Sequence, residues 1–272
     1  MQPDQSAAEP SHTQLLPPFR PDYFAESARS VGWMPVEWRP GERTARLNVG
    51  VLGPTGGVSA QRTSRIQVQP VKGHVLLDST MVILDLGMYF NCDGVSSDAN
   101  RMAGNFDAPD LPSGGSYPAA ELPDSNSIIM VGIVAEKEHA VAFLFPDKDA
   151  AANNIACRGQ AVIVPPDSYR RVHFLGSSEN GDFERNVTLV YADGAAHDRP
   201  WALSDWCGPT KHGEATAIKC LYRHSMGGVV EKATPCYIRC QSIPIDPTRT
   251  LREIRLPDFE RMHLFAITLE TE

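Results

Sequence analysis

Several features that mark other classes of protein are missing from this chain of 272 residues. No cluster of Lys and Arg appears and the formal net charge is -8, so the chain lacks the phosphate-neutralising patch of a nucleic-acid-binding protein. No apolar run approaches the roughly 18 residues that a membrane helix needs. The amino terminus has neither a basic nor an apolar signal region. We therefore expect a cytoplasmic protein that binds neither nucleic acid nor membrane.

Paired-cysteine motifs and the motifs of common catalytic centres are absent. The six cysteines form no C-x-x-C pattern, and neither H-E-x-x-H nor G-x-S-x-G occurs. Cys236 and Cys240 flank a strand-like run, where four extended residues separate them by about 13 Å, beyond the roughly 7 Å Cα limit of a disulfide. We expect reduced, buried cysteines, as is usual inside cells.

No amphipathic helix stands out either, and 22 Pro and 21 Gly interrupt the chain too often for long helices. Extended segments bounded by turn residues are present instead, at 81–86, 127–135, 140–146, 160–166, 169–177, 186–194, 200–206, 236–245, 250–257 and 262–270. This spacing predicts an all-β fold, an antiparallel β-sandwich of jelly-roll type over residues 65–272. Residues 31–64 are predicted to form an irregular extension that packs on this body, and residues 1–30 a disordered tail.

A long polar loop follows the extended segment 81–86. It carries oxygen-bearing side chains that suit Ca²⁺, which takes six to eight oxygen ligands: Asp93, Asp98, Asn100, Asn105 and Asp107. Their spacing does not follow the EF-hand pattern. The alternative is that these side chains only hold the turns of their own loop.

A second candidate group combines aromatic and cationic side chains. Sugar rings stack on aromatic planes while charged groups bind their hydroxyls, so we predict a ligand site from Tyr117, Trp201, Trp206, Tyr222 and Arg223. The alternative places Trp206 and Tyr222 in the core of the sandwich. His224 with Asp205 is the candidate acid/base pair, provided that their strands are neighbours.

The extended segments and their loops also resemble a known family. The matching stretches are LDLGMYFNCDGVSSDANRMAGNFD (84–107), SYPAAELP (116–123), residues 153–182, VTLVYADG (187–194), LSDWCG (203–208), YRH (222–224), residues 237–258 and HLFAITLE (263–270). They resemble the galactose-binding-like sandwich modules appended to bacterial glycoside hydrolases such as α-L-fucosidases and β-glucosidases. The resemblance implies a jelly roll that binds sugars or packs beside a catalytic domain, although no glycosidase domain is present here.

Three hypotheses follow for the function. The first is a stand-alone, carbohydrate-binding-like module for a sugar or another polyhydroxylated small molecule. The second is an intracellular lyase, isomerase or cyclase that encloses a partly apolar metabolite in a cavity of the sandwich and moves a proton. The third is a subunit that pairs with a separately encoded enzyme, or with further copies of itself.

Overall fold

The structure is a computed structural model that describes residues 30–37, 44–52, 58–67, 81–108, 114–134 and 138–271. Its strands are β1 (Ser30–Glu37), β2 (Thr44–Leu52), β3 (Val58–Gln67), β4 (Met81–Leu84), β5 (Val95–Ser96), β6 (Tyr117–Pro118), β7 (Ile128–Val134), β8 (Glu138–Leu144), β9 (Ile155–Arg158), β10 (Ala161–Ser168), β11 (Arg171–Ser178), β12 (Phe183–Tyr191), β13 (Ala196–Leu203), β14 (Ala215–Cys220), β15 (Arg223–Ser225), β16 (Val229–Glu231), β17 (Cys236–Pro244), β18 (Thr250–Arg255) and β19 (Asp258–Glu270). The only helical elements in these ranges are the short 3-10 turns Gly87–Tyr89 and Ala119–Glu121. The predicted all-β fold is confirmed.

Two antiparallel sheets form the sandwich. The larger sheet has the strand order β14-β17-β11-β19-β4-β1-β2-β3, with β9 also paired to β19, and the smaller sheet has the order β10-β18-β12-β13. The hairpins β7–β8 and β15–β16 and the parallel pair β5–β6 stand outside both. Within the described ranges no helix is long and apolar enough to cross a bilayer.

The large sheet is buried on both faces, and this explains the sequence of its central strands. One face packs against the small sheet, where Phe174 and Leu264 meet Val187 and Ile254. The other face packs under the β7–β8 hairpin and the loops around β5 and β6. Residues Met262–Glu270 of β19 are therefore buried almost without interruption, as expected of a strand covered on both sides. In contrast, the small sheet has one exposed face, and β12 carries exposed residues at 184–186.

The N-terminal strands extend the large sheet. β1 pairs with β4 in antiparallel register, and β2 and β3 follow it outward. The predicted boundary between residues 64 and 65 falls inside β3. Apart from Ser30, the predicted tail of residues 1–30 lies outside the described residues.

Candidate functional site

The site is assembled from two segments that are distant in the sequence. The first is the loop that follows β4 and contains β5. The second is the excursion that leaves the large sheet at the end of β14, forms the β15–β16 hairpin and returns at β17. A backbone bridge joins them through the residue before β6: Ser116 N–H donates to the His224 carbonyl at 2.9 Å, and His224 N–H donates to the Ser116 carbonyl at 3.1 Å. This bridge places His224 beside the loop.

His224 lies at the centre of a hydrogen-bonded chain. Its side chain is fully buried, with Nε2 3.0 Å from Asp98 Oδ1 and Nδ1 2.7 Å from Ser96 Oγ. Ser96 Oγ in turn lies 2.6 Å from Ser116 Oγ. An ionised carboxylate only accepts hydrogen bonds, so Nε2 carries a proton, and in the neutral ring Nδ1 accepts the Ser96 hydroxyl proton. Ser116 then donates to Ser96, which fixes the direction of the whole chain.

Asp98 is the end of this chain that meets solvent, with its side chain 50% exposed. Tyr222 donates its hydroxyl to both carboxylate oxygens of Asp98, at 3.1 and 3.2 Å. The hydrogen bond from His224, followed by that from Tyr222, lowers the pKa of Asp98. Burial, followed by the hydrogen bond to Asp98, raises the pKa of Tyr222 to about 12. At neutral pH the site therefore presents an ionised carboxylate whose orientation is fixed from two sides.

A groove of about 500 Å³ opens in front of this carboxylate. It is lined by Asp98, Arg101, Leu221, Tyr222, Val230 and Lys232. Within the described part of the chain neither Arg101 nor Lys232 makes an ion pair within 4 Å. The groove thus combines one oriented carboxylate, two free cations, a tyrosine ring and two aliphatic side chains.

The side chain of Arg223 points to the side of β15 opposite to that of His224, because neighbouring residues of a strand face opposite ways. Its guanidinium binds Glu231 Oε2 at 2.8 Å and lies 5.3 Å from the Trp206 ring centre. A longer ion pair, at 3.8 Å, joins it to Asp107. The predicted ligand-binding role of Arg223 therefore has no support from its contacts, which attach the hairpin to the body.

Three of the predicted ligand-binding aromatic residues are core residues. Tyr117, Trp201 and Trp206 are at most 1% exposed, so none has a ring face on which a sugar could stack. Tyr117 and Trp206 pack around Phe106 with ring centres 5.0 Å apart in each pair. Trp201 lies between the two sheets. Of the predicted aromatic group only Tyr222 reaches the groove.

The hydrogen bonds of Asp205 do not join it to His224, its predicted partner. Its carboxylate holds two turns instead: Oδ2 accepts the Gly181 N–H at 2.7 Å and Oδ1 accepts the Cys207 N–H at 2.8 Å. The acid at His224 is Asp98, 126 positions away in the chain.

The oxygen-rich loop uses most of its side chains to hold its own fold, which is the alternative that the sequence left open. Asp93 accepts from Asn153 Nδ2 at 2.7 Å, Asn105 binds the backbone of Ala108, and Asp107 accepts the Gly115 N–H at 2.5 Å. The Asn100 N–H donates to Ser97 Oγ. Burial raises the pKa of both Asp93 and Asp107. Across residues 81–108, 114–134 and 138–271, no three His, Cys, Asp or Glu side chains come together in a way that could hold a metal ion. The predicted Ca²⁺ site therefore finds no fitting set of carboxylates among the described residues.

Several members of the site were not predicted. Ser96 and Ser116 extend the chain at His224, and Arg101, Leu221, Val230 and Lys232 complete the groove. One signal was available: Tyr222 and His224 are two residues apart in an extended segment, and this spacing places both side chains on one face.

Taken together, the fold and the site define an all-β sandwich protein with a polar groove built on loops at its surface. The chain belongs to the family of AziU2-like β-sandwich domains, whose family model matches residues 79–272. The match begins just before β4, so β1–β3 lie outside it. No curated protein matches the chain. Of the resemblance to galactose-binding-like modules, the match supports the β-sandwich and does not extend to a carbohydrate-binding identity.

Proposed function

We propose that this domain is a binding module for a small polyhydroxylated ligand, such as a sugar, which it holds in the groove at Asp98. The observation that carries the proposal is the half-exposed Asp98 carboxylate, held by Tyr222 and His224 at the edge of the groove. A carboxylate held in this way can accept two hydrogen bonds from neighbouring hydroxyls without first losing side-chain freedom.

The rest of the groove suits the same class of ligand. Leu221, Val230 and the ring of Tyr222 offer apolar surface to the C–H face of a sugar ring. The two positive charges of Arg101 and Lys232 outnumber the single negative charge of Asp98. A ligand that also carries a carboxylate, sulfate or phosphate is therefore favoured over a neutral one.

Binding is favoured over catalysis because His224 is already fully engaged. It is buried, its Nε2–H is directed at Asp98 and its Nδ1 at the buried Ser96 hydroxyl, so neither nitrogen is in contact with a ligand in the groove. The alternative is a lyase, isomerase or cyclase in which Asp98 moves the proton and the chain Ser96–His224 adjusts behind it. This alternative requires turnover, which a binding module does not show.

The surroundings of the groove favour a second candidate function, that of a ligand-binding subunit for a separately encoded enzyme. The large apolar side chains most exposed in the described ranges all lie on the two segments that build the site, and each is more than half exposed: Met88, Met102, Leu221, Met226 and Val229. Exposed apolar surface of this kind is typical of contact regions. Sedimentation velocity of the purified chain tests the competing explanation, self-association through the same surface.

The decisive experiment is a glycan array that includes neutral and acidic sugars, followed by calorimetric titration of the sugars that bind. Saturable binding by the wild-type chain that Asp98→Ala abolishes supports the proposal. Asp193→Ala is the matched control, since Asp193 is an acid of similar exposure, with its side chain 54% exposed. Binding that survives Asp98→Ala would place the ligand elsewhere, and conversion of a bound compound would establish the enzyme.

A further inference from the structure

Two cysteines stand at the base of the excursion that carries one wall of the groove. β14 ends at Cys220 and β17 begins at Cys236, and the two residues are direct partners in the antiparallel register of these strands. Between them lie the β15–β16 hairpin and the groove residues Leu221, Tyr222, Val230 and Lys232. A covalent bond between the two cysteines would close this whole excursion into a loop.

The geometry of the pair suits a disulfide. Directly opposed residues of antiparallel strands have Cα atoms about 4.5–5.5 Å apart, and disulfides span Cα distances of about 4.4–6.8 Å. Both thiols are free and buried in the same hydrophobic cluster. The other buried cysteines differ: Cys240, on the same strand β17, faces Ala215.

The pair is also connected to the site. Cys236 Sγ donates a hydrogen bond to the Tyr222 carbonyl at 3.4 Å, and Tyr222 holds Asp98. A change at Cys236 therefore reaches the oriented carboxylate through one residue.

We propose that Cys220 and Cys236, free thiols in this structure, are an oxidisable pair whose disulfide fixes the base of the excursion 221–235. The oxidant is a small disulfide such as oxidised glutathione. One protein thiolate attacks it and releases the first glutathione thiol; the second protein thiolate attacks the protein sulfur of the mixed disulfide and releases the second. The protein loses two protons and two electrons, which reduce the oxidised glutathione to two molecules of reduced glutathione.

Burial sets the rate of this reaction. Burial, together with the neighbouring thiol of Cys220, raises the pKa of Cys236, so little thiolate is present at neutral pH. Exchange therefore waits for the hairpin to open and is faster at alkaline pH. Cys207 is partly exposed and its thiol accepts a hydrogen bond from Arg223, so it is the competing point of attack.

The test oxidises the purified full chain in glutathione buffers of rising potential, traps free thiols by alkylation, and maps the products by mass spectrometry. The expected product has lost two hydrogens and yields a peptide that joins Cys220 to Cys236. Its melting temperature should exceed that of the reduced chain by about 5–10 °C, because the bond closes a loop in the unfolded state. Cys240→Ser should still form the bond, and Cys220→Ser should not.

Two outcomes would overturn the proposal. One is a wild-type chain that keeps six free thiols in the most oxidising buffer at alkaline pH. The other is oxidation that maps to a different pair, or stops at a glutathione adduct on Cys207. Both are read from the wild-type chain, so the test holds even where Cys220→Ser fails to fold, and neither depends on ligand binding.

Discussion

Among the described residues, two hydrogen-bonded series of a serine, a histidine and an acid share the same atomic pattern in different surroundings. In the first, His224 joins Ser96 through Nδ1 to Asp98 through Nε2. In the second, His173 joins Ser242 through Nδ1, at 2.7 Å, to Glu270 through Nε2, at 3.3 Å. Both histidines are fully buried, so the difference lies in the acids.

Glu270 is 1% exposed and Asp98 is 50% exposed. Arg170 covers Glu270 with an ion pair at 2.6 Å, whereas Asp98 is held only by hydrogen bonds from Tyr222 and His224 and meets an open groove. Residues of β11, β17 and β19 fix Glu270 inside the large sheet, whereas Asp98 lies on a loop. The same hydrogen-bond pattern thus stabilises the sheet in one place and presents a ligand group in the other.

The largest difference that we expect between the Asp98 and Glu270 series is in their effect on stability. Glu270→Gln removes the charge that Arg170 and His173 share in a buried position, so we expect a loss of about 1–3 kcal/mol in the free energy of unfolding. Asp98→Asn should leave the free energy of unfolding nearly unchanged, because its carboxylate is solvated. Urea denaturation of both variants measures the difference. Equal losses would show that Asp98 is as structural as Glu270.

The second effect is on binding, where we expect Asp98 to matter more than Glu270. Asp98→Asn keeps the shape of the side chain and loses its charge, so affinity for the sugar identified on the array should fall at least tenfold. Glu270→Gln should bind normally at temperatures where it is folded. Calorimetric titration checks both, and an unchanged affinity in Asp98→Asn would remove the groove from the proposed function.

The comparison also shows how far the sequence alone could lead. Strands such as β12, β18 and β19 were predictable because their apolar residues and turn signals are local. Asp98, Tyr222 and His224 were each singled out, yet the acid was assigned to Asp205. The contact between His224 and Asp98 depends on the bridge from Ser116 to His224 and on the pairing of β5 with β6, and neither leaves a local pattern in the sequence. Tyr117 and Trp206 were predicted to line a ligand site and are buried in the core for another reason. A large ring with a polar atom suits a core as well as a surface.

The third effect concerns pH. The pKa of Asp98 is lowered by His224 and by Tyr222, so its carboxylate stays ionised below the ordinary aspartate range of about 3.9. Binding that needs this charge should persist as pH falls through that range and disappear only as pH passes through the lowered pKa. In Tyr222→Phe one of the two causes is gone, so binding should be lost at a higher pH than in the wild type.

Titrations across a pH series give both curves, and circular dichroism at each pH provides the control. The control is needed because the raised pKa values of Asp93 and Asp107 make these half-buried loop acids protonate first. Identical curves for wild type and Tyr222→Phe would mean that Tyr222 does not set the charge of Asp98.

The smallest effect should come from the cations of the groove. Arg101 and Lys232 are exposed and screened by solvent. Lys232→Ala or Arg101→Ala should therefore lower the affinity for an acidic sugar only about twofold to fivefold, and the affinity for a neutral sugar less. Raising the salt concentration should produce a similar selective loss in the wild type. Arg252→Ala, an exposed cation on β18 in the other sheet, is the matched control. If the affinities for acidic and neutral sugars fall equally, the two side chains contribute shape and not charge. The expected ligands are then neutral polyols bound by Asp98.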